Sequence, residues 1–111
     1  MKDWVALQVR YQRDSRAIQL GGLASNLSRI AWFAQRQRRA EALPIVRESK
    51  YFTEWAALSC SAEQQGLLAE VQFQLAVWER AWATQSDASS IANDATRWSN
   101  ALLEAARDEH R

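Results

Sequence analysis

Helix breakers are scarce in this chain. Pro44 is the single proline in 111 residues, and Gly21, Gly22 and Gly66 are the only glycines. Sheet folds spend such residues at every turn, so their scarcity argues against an all-β architecture. Abundant Ala, Leu, Gln, Glu and Arg favour an all-α one. Cys60 is the sole cysteine, which rules out an internal disulfide and suits a reducing compartment. One cysteine and one histidine, His110, are too few for a zinc site, and no Glu-x-x-His pair offers a di-iron centre. No metal or other cofactor is expected. No apolar run reaches the roughly 18 residues of a membrane span, and the opening Met-Lys-Asp-Trp has no apolar signal core. The sequence therefore predicts a cytoplasmic chain with no membrane contact.

Catalytic patterns are equally sparse. Gly21-Gly22 has neither a preceding strand nor a following Gly-Lys-Ser/Thr, so it does not make a phosphate loop. Cys60 has only the near-terminal His110 as a candidate base. The carboxylates form no pair specific enough for acid–base work. The chain is expected not to be an enzyme.

Bulky aromatics are what the chain has in excess. Trp4, Trp32, Trp55, Trp78, Trp82 and Trp98 give every candidate helix at least one indole. A side chain of that size fills a core or meets a partner. The length suits one domain over 1–111. Within it, 12–41 reads as the longest helix, with Leu20, Leu23, Leu27, Ile30 and Ala34 on one stripe. Gly21-Gly22 interrupts the pattern: either the helix runs on because another backbone approaches closely, or the chain bends there, and a continuous or kinked helix is expected. Pro44 should end that helix and open the next, 44–59, which carries Ile45, Phe52, Trp55 and Ser59 with Leu58 beside them. Ser61-Ala-Glu-Gln64 forms a capping box before a helix over 62–85. There Leu68, Val71, Leu75, Trp78 and Trp82 make an unbroken seam, and Phe73 and Val77 widen it as though the helix met two neighbours. Ser86 and Asp87 precede a last helix, 88–109, with Ile91, Ala95, Trp98, Leu102 and Ala105 as its seam. Short connections make sequential helices antiparallel neighbours. The expected fold is an antiparallel up-down-up-down four-helix bundle, with residues 1–11 as an arm or short helix.

Residues 1–55 hold ten Lys/Arg against five Asp/Glu, and residues 56–111 hold four against eight. The opposite signs of the halves, +5 and −4, can help the bundle close or help two copies dock. Trp55, Trp78, Trp82 and Trp98 occupy seam positions. Trp32 lies off its stripe and Trp4 lies in the arm, so these two are candidate interface anchors. Arg36, Arg38 and Arg39 join them as a basic cluster, where guanidinium beside aromatic could also grip nucleic acid. A pocket for an aromatic or pigment-like molecule between helices would be walled by Trp78, Trp82 and Trp98. The leading expectation is a bundle that acts through protein contacts, as an adaptor, small subunit or assembly factor, with a homodimer as one form.

Leu23-Ala-Ser-Asn-Leu-Ser-Arg-Ile30 with Ala31-Trp32-Phe33-Ala34, and Val46-Arg-Glu-Ser-Lys-Tyr-Phe-Thr-Glu-Trp55, together resemble a group of small all-helical cyanobacterial proteins of unknown function. Gln74-Leu-Ala-Val-Trp78 and Arg97-Trp98-Ser99 are similar in character. The resemblance implies a cytoplasmic helical bundle and carries no catalytic or binding residues.

Overall fold

Helix α1 (Trp4–Arg13) starts where the Asp3 carboxylate accepts from the Ala6 N–H at 3.1 Å, closing the first turn. A computed structural model of the chain describes residues 3–83 and 88–108. Among them there are five helices and no strand: α1, α2 (Arg16–Gln35), α3 (Arg39–Ala57), α4 (Ala62–Ala83) and α5 (Ala88–Asp108).

The single helix expected over 12–41 is divided at both ends. Asp14 and Ser15 are extended, and the Ser15 hydroxyl accepts from the Ile18 N–H, so α2 begins afresh at Arg16. At the other end Gln37 takes a left-handed φ of 54°. The Gln37 N–H returns to Ala34 O, and the Arg38 N–H returns to Phe33 O at 2.9 Å. That pair of bonds is a Schellman stop built without its usual glycine. Gly21 and Gly22 continue the helix, and neither faces a neighbouring backbone; the Tyr11 ring lies 3.9 Å from where a Gly22 Cβ would sit.

Pro44 neither ends a helix nor opens one. It lies inside α3, in the second turn. The carbonyl it deprives of a helical partner belongs to Ala40, and both residues are exposed, so water can serve that oxygen. The capping box stands as expected: Ser61 N–H donates to Gln64 Oε1 at 3.0 Å and Gln64 N–H to Ser61 Oγ at 3.2 Å. The Ser86-Asp87 start and His110 lie outside the described residues.

The core gathers the expected stripes. Leu20, Leu23, Leu27 and Ile30 of α2 meet Val46, Phe52 and Trp55 of α3, Leu68, Val71, Leu75, Trp78 and Trp82 of α4, and Ile91, Ala95 and Leu102 of α5 in one cluster. Cross-links fix the directions of two helix pairs. Asn26 donates to Glu48 and Ser59 to Gln19, so α2 and α3 run antiparallel. Arg39 reaches Trp82, Arg47 reaches Glu79 and Gln72 reaches Glu54, so α3 and α4 do too. Helix α5 packs chiefly on α2, not on α4. Buried alanines on both helices, Ala24, Ala31, Ala92 and Ala95, leave room for close approach, and Ser99 Oγ donates to Ala24 O at 2.8 Å.

Helix α1 lies on α3 through aromatic rings. Tyr11 stacks on Phe52 at 4.1 Å between centroids, and its hydroxyl donates to Gln19 O at 2.7 Å. Burial pushes the Tyr11 phenol well above its ordinary range, with Cys60 and Asp14 adding to the rise. The alternation of Val5, Leu7, Val9 and Tyr11, strand-like in sequence, is an accident of composition: Val5 and Val9 face solvent and Tyr11 faces α3.

Candidate interaction surface

Helix α4 is apolar on two sides. One side carries the buried Leu68, Val71, Leu75, Trp78 and Trp82. The other carries Gly66, Ala69, Glu70, Phe73, Ala76, Val77 and Arg80, all exposed and spaced by three and four, hence on one stripe. Phe73 is 68% exposed and Val77 41%. With Ala76, Arg80 and Ala81 they line a shallow surface cleft of about 480 Å³. The second neighbour that the sequence implied for Phe73 and Val77 is not supplied by the described residues. Helix α4 packs mainly on α3, while α5 gives its main contact to α2. Glu70 and Arg80 flank the apolar pair, and neither has an ion-pair partner among the described residues.

The residues singled out in the sequence divide between surface and scaffold. Trp32 is exposed, at 46%. The Arg36 guanidinium lies over its ring at 3.7 Å and also donates to Trp32 O, so the indole is covered on one face. Phe33 meets it edge-on at 5.2 Å. Arg38 pairs with Glu41 at 2.9 Å and lies over Phe33. The Arg38 hydrogen bond holds the exposed Glu41 carboxyl below its ordinary value. Arg39 donates to Trp82 O at 2.7 Å, where it satisfies a carbonyl in the last turn of α4. Each of the three arginines thus has an internal task. Trp4 is half-buried, 4.3 Å from Tyr51 and 6.5 Å from Trp55 between centroids, and serves to seat α1 on α3.

Beside Trp4 and Tyr51 lies a second cleft, of about 480 Å³, with Arg47, Lys50 and Glu54 on its rim. Arg47 and Lys50 both bond Glu79 of α4, at 3.1 and 3.3 Å. Partial burial pushes the Glu79 carboxyl up, but the two hydrogen bonds and the adjacent charges outweigh it and hold the group below its ordinary value. This is where the basic first half of the chain meets the acidic second half. Glu54 accepts from Gln72.

Trp78 and Trp82 are 2% and 4% exposed and belong to the core. Trp98 is half-buried, and its indole N–H is buried with no acceptor among the described residues. None of the three lines either cleft. Among the described residues no group of three or more His, Cys, Asp or Glu side chains is placed to hold a metal ion. No described helix is long and apolar enough to cross a membrane. No family model matches the chain, and no curated protein or solved structure is similar enough to it to indicate kinship.

The outer stripe of α4 is the surface where pattern and packing part: Phe73 and Val77 call for a neighbour, and both are exposed. Its signal is present in the sequence, since Phe73 and Val77 lie outside the Leu68–Trp82 seam and call for a second cover. What the pattern could not assign was whether that cover came from within the chain.

Proposed function

We propose that the chain is a non-enzymatic helical docking protein, an adaptor, small subunit or assembly factor, whose working surface is the outer stripe of α4. One observation carries this reading: Phe73 stands 68% exposed beside Val77 on a helix whose other side already fills the core. Single exposed apolar residues are ordinary, whereas apolar residues that adjoin on one exposed stripe with a polar rim fit a contact surface. Trp32 is a second, smaller anchor at the α2–α3 corner. Helices α2 to α5 follow an up-down-up-down order in this reading, with α1 as an added strap. The lone Cys60 fits a reducing, cytoplasmic setting, and the resemblance to small cyanobacterial helical proteins of unknown function fits a helical bundle. The nucleic-acid alternative loses ground because Arg36, Arg38 and Arg39 are engaged internally.

A photo-crosslinking residue, p-benzoylphenylalanine, tests the reading when placed at Phe73 and, as control, at the exposed Asn100 of α5. Irradiation in the native cell should give a discrete adduct from position 73 and none from position 100. No adduct at 73, or equal labelling from both positions, contradicts it.

A further inference from the structure

We infer that the outer stripe of α4 takes a second copy of this chain, its α4 laid antiparallel across a two-fold axis near the height of Leu75. The inference rests on the docking reading above and names its occupant. The stripe is palindromic in kind. Phe73 and Val77 stand two residues on either side of Leu75, and Glu70 and Arg80 stand five on either side. Turning the helix end for end about that point lays Phe73 over Val77 of the copy and brings Glu70 to the height of the copy's Arg80. Apolar meets apolar and acid meets base, twice over by symmetry. That is the requirement for an isologous interface, in which one patch must complement itself.

A parallel arrangement would set Glu70 against Glu70 and Arg80 against Arg80. It is disfavoured by like charge. Glu70 and Arg80 are exposed and without ion-pair partners among the described residues, so neither must surrender an internal bond to meet the copy. Gly66, Ala69 and Ala76 lie on the same stripe and present almost no side chain, which lets two helix backbones draw close. The basic residues at the Trp4 cleft offer no comparable case, because Arg47 and Lys50 already share Glu79.

Charge reversal separates this pairing from any other use of the face. Sedimentation of the wild-type chain, from about 1 μM to about 1 mM, should show reversible growth from the 12.7 kDa monomer towards twice that mass. Glu70→Arg alone and Arg80→Glu alone should each weaken self-association about tenfold, since each replaces two attractive pairs by two repulsive ones. The double variant E70R/R80E should restore it. Phe73→Glu should leave a monomer, with helix content by circular dichroism unchanged. A wild-type chain that stays at monomer mass throughout overturns the inference, and so does a double variant as weak as the singles. Adducts at position 73 distinguish the two levels of failure. A cross-link to a different polypeptide sinks the self-pairing and leaves the docking reading in place; no cross-link at all removes both.

Discussion

Gln37 is the residue at which backbone chemistry and sequence disagree most openly. Its φ of 54° lies in the left-handed region, which glycine enters freely and glutamine at a cost of roughly 1–2 kcal/mol. The Schellman bonds from Gln37 and Arg38 hold it there. Gln37→Gly should therefore raise stability by about 1 kcal/mol, read as a higher urea midpoint with an unchanged slope. A lower midpoint would show that the Gln37 side chain supplies something the backbone geometry does not. The same residue explains why the break between α2 and α3 was hidden in the sequence. With no glycine or asparagine at the stop, and a proline several residues downstream, the pattern 12–41 read as one helix. Gly21-Gly22, by contrast, lie within one helix, as the sequence favours, though no neighbouring backbone approaches either glycine.

Among the elements, α3 and α4 form the electrostatic seam of the molecule. Glu79 answers Arg47 and Lys50 across it, and its carboxyl titrates below the ordinary value. A carboxylate whose folded pKa is depressed adds stability above its unfolded pKa and loses it as pH falls through the folded one. Glu79→Gln should thus be less stable than wild type at about pH 7, by only about 0.5 kcal/mol because the pairs are partly exposed. The gap should close at an acid pH below the folded pKa of Glu79, where the carboxyl is protonated in both states. Urea unfolding at the two pH values checks this. A gap that persists in acid would mean that the change acts through packing and not through charge.

Element existence was largely legible: the stripes of α2, α4 and α5 and the Ser61–Gln64 box all stand where periodicity put them. Partnership was not. The spacing puts Leu58 beside a seam, yet it is 79% exposed, because Ala57 ends α3 just before it. Short connections point α5 towards α4, yet it lies chiefly on α2, where alanines permit a closer fit than the bulky flank of α4. Periodicity reports which face of a helix is apolar. It does not report which surface will cover it.

Taken as a whole, the molecule uses its tryptophans unevenly. Trp55, Trp78 and Trp82 close the core, Trp4 straps α1 down, Trp98 stands at the margin, and Trp32 reaches solvent under a guanidinium lid. The uncovered surface with the most consequence is a phenylalanine face, which a search for exposed indoles overlooks. That face defines the account, and fluorine at its centre examines it most directly. With 4-fluorophenylalanine at position 73, the ¹⁹F resonance should sit at a solvent-exposed shift in dilute solution. It should move on concentration towards that of a buried ring, and Arg80→Glu should push that movement to about tenfold higher concentration. A resonance that stays at the solvent-exposed shift at every concentration, with or without that substitution, would contradict the claim that a second copy covers α4.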